Sequence, residues 1–372
     1  MDEKRLCLAH DDSLRMLRYA RRRDDLMLAP ASAQVLRGCD GAVDPAALGA
    51  ALPGELFSPS PQRLVHLRFD DDAARSRCSR VHASPGLLRL PDDAYLEVLT
   101  AAGDPLCVCG GTVTHVLVEA GPLSLLSAAV TLGRAVGRGQ LSRDAALVRL
   151  TGFAMELCGR YARDPSAPLV GDVAHDIEPV SSVQELRAFL DEPTGLHGVE
   201  LARMAASYAN DGSGSTMETC WYGVFCLPPR LGGAHLARPL QNVPLDWPDG
   251  VAGLVSHGRM RPDFHWPQYE TACEHQGGDH TSERALEEDS RRARDYELCH
   301  IHYLPLTKRD AGDVDAVTVL LAQLLSIIAP YEAPAFGRRA RRVLGDPNIR
   351  AARTVLLAQL LPPRLRWGDA DA

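Results

Sequence analysis

The sequence predicts an α/β fold in the C-terminal half of the chain, behind a mixed α+β N-terminal region and a helical connector. Segments with the period of a helix or of a strand follow one another there in the order α, β, β, β, α, β, α. The predicted elements are a helix at 215–225, strands at 239–245, 259–266 and 269–276, a charged helix at 282–296, a strand at 298–303 and a helix at 314–328. Strands grouped in this way predict one sheet with helices packed on it.

The first 204 residues show less regular patterns. We predict helices at 11–36, 123–161, 182–190 and 198–208 and strands at 63–69 and 113–119. Residues 162–181 are rich in Pro, Gly and Asp, which indicates a linker. We therefore expect four parts: a mixed region at 1–125, a helical connector at 126–204, an α/β domain at 205–330 and a basic helical tail at 331–372.

The composition is that of an ordinary soluble globular protein. The chain has 372 residues and a net charge of −8, with 45 % apolar and 24 % charged residues. A protein dedicated to coating nucleic acid is usually basic. Any contact with nucleic acid must therefore come from a local patch of positive charge.

The cysteines and the apolar segments predict a cytoplasmic location. Ten cysteines occur without the spacing of a zinc site, so we expect free thiols in a reducing compartment. The N-terminus lacks the apolar core of a signal peptide. The longest apolar run, 316–330, is too short to span a bilayer, so no contact with a membrane is expected.

The C-terminal tail is rich in arginine. Eight arginines lie between Gly337 and Arg366, against a single acid, Asp346. A basic helix of this kind can contact a nucleic-acid backbone. It can equally be a solvated helix that packs on the protein body, and both interpretations remain open here.

Acidic residues occur within the apolar stretch RPDFHWPQYETACEHQGGDH, residues 261–280. If its two strands form a hairpin with the turn at Gln268 and Tyr269, Asp263 lies opposite Glu274, and Gln276 shares the face of Glu274. Cross-strand partners stand about 5 Å apart. Two carboxylates at that distance repel unless a positive charge lies between them. A divalent cation such as Mg²⁺ can supply that charge.

Glu218 is a candidate third carboxylate. It stands in Ser215-Thr-Met-Glu218, at the start of the predicted helix 215–225. This spacing is also that of a capping box, in which the glutamate returns to the helix N-terminus. Both roles remain open at this point.

Four motifs follow one another in a recognisable order. After the Ser-Thr-Met-Glu218 helix come Pro262-Asp263, then Glu274-His-Gln-Gly-Gly-Asp-His280, then Asp289-Ser-Arg-Arg292. This order resembles the PD-(D/E)xK nuclease superfamily, and within it the very-short-patch-repair endonucleases. The segment LPPRLGG, residues 227–233, also resembles actinobacterial proteins that carry this domain behind a long N-terminal region. The resemblance covers about 205–330 and implies a restriction-endonuclease-like αβββαβ core.

The resemblance also implies roles for individual residues. Asp263, Glu274 and Glu218 would hold Mg²⁺ or Mn²⁺, which would activate a water for attack on a phosphodiester. His280 would contact the scissile phosphate or act as a general acid. DNA is the implied partner, with its phosphates contacted by arginines: Arg292, Arg291 and Arg261.

Gln276 departs from the family pattern. The superfamily usually has a lysine at this position, and the very-short-patch-repair branch has an aspartate. Glutamine carries neither a charge nor a transferable proton, although it can orient a water.

Two functions therefore stay open. One is a metal-dependent DNA endonuclease for repair or for defence against foreign DNA. The other is a catalytically retired nuclease fold that acts as a DNA-binding or antitoxin-like regulatory protein.

Overall fold

The computed structural model describes residues 4–36, 39, 65–69, 81–85, 92–191, 197–276 and 283–361. Within these residues the chain is a mixed α/β protein with several sheets, as predicted. The helices are α1 His10–Arg21, α2 Ala33–Leu36, α3 Gly121–Gly137, α4 Arg143–Leu157, α5 Val183–Asp191, α6 Val199–Tyr208, α7 Thr216–Cys226, α8 Glu283–Leu298, α9 Lys308–Gly312, α10 Val314–Ile328, α11 Ala335–Gly345 and α12 Pro347–Leu360. The strands are β1 Lys4–Leu8, β2 Leu26–Pro30, β3 Val65–Phe69, β4 Val81–Pro85, β5 Tyr95–Thr100, β6 Val113–Glu119, β7 Tyr161–Ala162, β8 Ala174–His175, β9 Phe264–Trp266, β10 Thr271–Gln276 and β11 His302–Thr307.

The chain divides into two compact units that differ from the four predicted parts. The first unit contains residues 1–141 and 161–207, and the second contains 142–160 and 208–372. The predicted connector, 126–204, is therefore divided between the two units. Helix α4 belongs to the second unit because its apolar residues are buried there, and at Gly152 it leaves room for Leu360 of α12.

The first unit is built on a six-stranded sheet in the order β2-β5-β6-β1-β3-β4. Its β1 is parallel to β6 and antiparallel to β3. The predicted long helix at 11–36 is wrong in part, because β2 interrupts it and pairs antiparallel with β5. The predicted linker at 162–181 contains the short strand β8, which pairs with β7.

The second unit contains a three-stranded sheet in the order β11-β10-β9. Strand β10 is antiparallel to β9, and Cys273 pairs with Phe264 in the register predicted for the hairpin. On its other side β10 is parallel to β11. The last strand begins at His302 and not at 298, because α8 continues to Leu298.

The predicted strand at 239–245 is an extended segment with few strand contacts. Its Leu240 exchanges two backbone hydrogen bonds with His265, each 2.8 Å long. Farther along, the amide of Leu245 donates to the carbonyl of Met260 over 2.8 Å. The segment therefore runs antiparallel beside residues 260–265.

Helices α7 and α8 contact opposite faces of this sheet. On the α7 face, Trp221 and Phe225 pack with Phe264 and Trp266, and all four side chains are buried. On the α8 face, Tyr296 packs in a second cluster, which contains Leu245, Met260 and Ala272. The central strand β10 is thus covered on both faces.

Helix α10 contains most of the longest apolar run in the sequence, 316–330. With the residues that follow, it forms an 18-residue stretch, Val314–Tyr331, which is a candidate membrane span by length and composition alone. Its buried residues recur with helical period: Val317, Leu320, Leu321, Leu324, Leu325 and Ile328. A helix with one such face is typical of the core of a globular protein, so the stretch is weak evidence for a span.

Candidate functional site

Asp263 lies one residue before β9, at the point where the hairpin register places it opposite Glu274. One of its oxygens, Oδ2, accepts a hydrogen bond of 2.6 Å from the backbone amide of His275. Burial, together with the negative charges of Glu218 and Glu274, raises the pKa of Asp263 well above its usual range. The fold therefore places both Glu218 and Glu274 within electrostatic reach of Asp263.

Glu274 lies in the middle of β10 and is 7 % exposed. Its Oε2 lies 2.7 Å from Nη1 of Arg292, and its Oε1 accepts a hydrogen bond of 2.5 Å from the hydroxyl of Tyr296. Arg292 and Tyr296 are four residues apart on α8, so they project from the same side of the helix. Both carboxylate oxygens of Glu274 are thus occupied by partners from α8.

Tyr296 was not predicted as part of the site. Burial and the charge of Glu274 raise the pKa of this tyrosine, so the hydroxyl stays protonated and donates to the carboxylate. The position four residues after Arg292 was the only sequence signal for it, and that spacing occurs in every amphipathic helix.

Glu218 forms the first half of the predicted capping box, and its carboxylate bonds to two other residues. Its amide donates to Oγ of Ser215 over 3.1 Å, which is the first half of a capping box. Its Oε2 accepts a bond from the amide of Gly214 and another from Nδ2 of Asn242, each 2.6 Å long. The carboxylate therefore holds the loop before α7 to the extended segment.

Asn242 is a second residue that sequence reasoning missed. Its backbone has a φ of 55°, in the left-handed region that asparagine tolerates better than most residues. Its Nδ2 donates to the carbonyl of Gly212 over 3.0 Å as well as to Glu218. A lone asparagine in an irregular segment carries no signal that could have identified this role.

The alternation of side chains along β10 separates two of the acids. Glu274 contacts α8, whereas the next residue, His275, contacts α7, where Nε1 of Trp221 lies 3.3 Å from Nδ1 of the histidine. Glu218 belongs to α7. Glu274 and Glu218 therefore approach from different faces of the sheet. Both of them raise the pKa of Asp263.

Three further predicted site residues fall within the described ranges: Gln276, Arg291 and Arg261. Gln276 ends β10 half-buried, and its amide is hydrogen-bonded to Tyr303. Arg291 is exposed and pairs with Glu287 and Glu288 of its own helix. Arg261 is exposed. His280 lies outside the described residues.

The site offers donors of the right type for a divalent cation, because Mg²⁺ and Mn²⁺ bind carboxylate oxygens. Across the ranges that the structure covers, however, no three His, Cys, Asp or Glu side chains are grouped as metal ligands. Arg292 and Tyr296 occupy the oxygens of Glu274. In this arrangement the residues do not fit the metal that the family resemblance implies.

Comparisons with known proteins add no assignment. The chain matches no protein-family profile, no curated protein and no solved structure.

Proposed function

We propose that residues 205–330 form a restriction-endonuclease-like domain that binds DNA without hydrolysing it. The order of elements supports this fold: α7, the extended segment 240–245, β9, β10, α8 and β11 follow one another as αβββαβ. The parallel pairing of β11 with β10 through the crossover helix α8 agrees with that arrangement.

One observation carries the absence of hydrolysis. The guanidinium of Arg292 is hydrogen-bonded to Glu274 over 2.7 Å, so a cation from the chain itself compensates the central carboxylate. Gln276, in the place of the usual lysine, brings neither charge nor a proton. In the mechanism that the resemblance implies, hydrolysis uses a bound metal ion and a group that accepts the proton of the attacking water. Arg292 takes the place of the metal ion at Glu274, and Gln276 cannot accept that proton.

The same ion pair changes the role proposed for Arg292. The family resemblance makes this residue a phosphate contact, whereas here it holds Glu274. Contacts with DNA must then come from other exposed arginines of the chain, because the net charge of −8 gives the whole protein no general attraction to a polyanion.

Binding and cleavage assays on the purified protein test this proposal. We expect labelled duplex DNA to be bound with an affinity that falls steeply as salt rises, because phosphate contacts release counterions. We expect supercoiled, mismatched and single-stranded DNA to stay intact in Mg²⁺ and in Mn²⁺. Cleavage that disappears in Asp263→Asn would contradict the absence of hydrolysis, and a lack of DNA binding would contradict the proposal as a whole.

A metal-dependent endonuclease for repair or defence is the second candidate. The observation that favours it is Asp263, whose pKa is raised by burial and by Glu218 and Glu274. Carboxyl groups perturbed in this way cluster at catalytic sites. A calorimetric titration with Mn²⁺ tests this candidate: saturable binding that is lost in Asp263→Asn would support it, and no binding by either protein would exclude an assembled metal site. The cytoplasmic location remains a prediction.

A further inference from the structure

We propose that the exposed side of α11 is the surface that contacts the phosphate backbone of duplex DNA. The surface, called here the arginine face, consists of Arg338, Arg339, Arg341 and Arg342, all of which are exposed. This inference rests on the proposed function, because it names where a DNA-binding protein of this fold would hold its ligand.

The arginine face is one side of a strongly amphipathic helix. Phe336 and Val343 are buried on the opposite side, with 3 % and 1 % exposure. The helix therefore packs against the unit through these two apolar residues and presents its arginines to solvent.

Among the described residues, the positive charge of the arginine face is only partly compensated by acids. Among the residues that the structure describes, the single carboxylate within 4.0 Å of these four guanidinium groups is that of Asp346, which lies 3.7 Å from Arg342. Other exposed arginines of the same unit behave differently: Arg350 pairs with Asp315 and Arg230 with Asp144, each over 2.7 Å. An excess of positive charge over acidic partners is typical of a surface that meets a polyanion.

The arginine face is held in a defined place within the second unit. Arg353 of α12 is buried, and its Nη2 donates to the carbonyl of Val343 over 3.0 Å. The guanidinium of Arg339 lies 5.0 Å from the ring centre of Phe336, a cation–π contact that orients it. Ordered arginines lose less conformational entropy when they bind a ligand.

The segment before α11 is fastened to the β9–β10 hairpin. The hydroxyl of Tyr269 donates to Glu332 over 2.5 Å, and that of Tyr331 donates to Glu270 over 2.8 Å. These bonds place the start of α11 beside the turn of the hairpin. A duplex on the arginine face would therefore also lie beside the sheet that carries the candidate site.

The size of the arginine face fits a few phosphates. Five helical positions from 338 to 342 span about 6 Å along the helix axis. Successive phosphates of one DNA strand advance by about 3.4 Å along the duplex. The face can thus contact about two phosphates, and such contacts contribute affinity without reading the sequence.

Fluorescence anisotropy with a labelled duplex, measured over a series of salt concentrations, tests this proposal on the full chain. The test variant is Arg338→Gln with Arg341→Gln. The matched control is Arg134→Gln with Arg138→Gln, which removes the same charge from two exposed arginines at the end of α3 in the first unit. Circular dichroism and urea unfolding show whether both variants are folded, which we expect because all four side chains are exposed.

We expect the test variant to bind the duplex about tenfold more weakly at low salt. The slope of log K against log salt should become shallower by about 2, because each lost phosphate contact contributes about 0.9. The control variant should keep the affinity and the slope of the wild type. Equal affinity and slope in the test variant would overturn the arginine face as the contact surface.

The two proposals fail in different ways. A wild-type protein that binds no duplex overturns the proposed function, and the arginine face with it. If the wild type binds DNA and the test variant binds it equally tightly, only the arginine face is overturned. Binding of the wild type to phosphatidylserine vesicles, lost in the test variant and without any DNA binding, would identify a membrane surface as the ligand and overturn both.

Discussion

Nη1 of Arg292 lies 2.7 Å from Oε2 of Glu274, and the hydroxyl of Tyr296 occupies the second oxygen of the same carboxylate. An arginine thus stands where the family resemblance places a divalent cation. Glu274 is only 7 % exposed, so water solvates its carboxylate poorly. Removing Arg292 would therefore leave a buried charge without its counter-ion, which costs more than breaking a surface ion pair.

Arg292→Gln is predicted to destabilise the protein and to make the site responsive to metal. We expect the free energy of unfolding in urea to fall by about 1–3 kcal/mol at pH 7, less than for a fully buried pair because the Arg292 side chain is 37 % exposed. Mn²⁺ should then raise the Tm of the variant and not that of the wild type.

The control is Arg291→Gln, whose side chain is 50 % exposed and pairs with Glu287 and Glu288 of its own helix. We expect its free energy of unfolding to change by less than about 0.5 kcal/mol. An Arg292 variant as stable as this control would show that Glu274 does not need the arginine.

Asn242→Ala is predicted to lower the free energy of unfolding by about 2–3 kcal/mol. The substitution removes the donor of two hydrogen bonds, one of them to the carboxylate of Glu218, and places alanine at a φ of 55°. Asn242→Gly loses the same bonds and tolerates the backbone, so it should cost less. Urea unfolding measures the loss of stability in both variants. Equal losses would mean that the left-handed backbone at position 242 adds no cost to the alanine variant.

Gly232→Ala is predicted to cost far more than Gly250→Ala, although both glycines have positive φ. At Gly232, with a φ of 94°, an added Cβ would lie 2.4 Å from Cα of Arg353 on α12. At Gly250, with a φ of 90°, the Cβ would meet nothing within 4 Å. We expect Gly250→Ala to lower the free energy of unfolding by about 1 kcal/mol, from backbone strain alone. Gly232→Ala should cost more than about 3 kcal/mol in urea unfolding, and a similar cost at both positions would contradict this packing.

The hydrogen bonds of His257 predict a pH-dependent contribution to stability. Burial opposes the charge on this histidine, but hydrogen bonds of 2.6 Å to Asp295 and to Glu288 raise its pKa above 6.5. The same bonds help to lower the pKa of both acids below their usual values of 3.8 and 4.5.

The histidine therefore stabilises the fold fully below pH 6.5, and this contribution is lost as the pH rises through its raised pKa. The acids contribute above their ordinary pKa values and lose the contribution as the pH falls. The stability difference between the wild type and His257→Asn should thus be largest between pH 4.5 and 6.5. Urea midpoints across pH 4 to 9 measure it, and a difference that grows above pH 7 would contradict the ion pairs.

Local patterns were sufficient for the hairpin of the candidate site. The expected turn at Gln268 and Tyr269 and the alternation of side chains predicted the pairing of β9 with β10, and Cys273 opposite Phe264 confirms it. The same patterns failed at β2, which was predicted as helix. Its partner β5 lies about 70 residues later in the chain, and a strand that depends on so distant a partner leaves little local signal.

The sequence by itself determined which residues could form an acidic site, because period-two alternation and a short turn are local properties. Only the tertiary structure decided that Glu274 is held by Arg292 and Tyr296 while Glu218 is held by Asn242. Arg292 and Tyr296 belong to α8, which packs on one face of β10, whereas Asn242 belongs to the extended segment beside residues 260–265. Which side chains meet the two carboxylates is therefore set by side-chain packing across the whole unit.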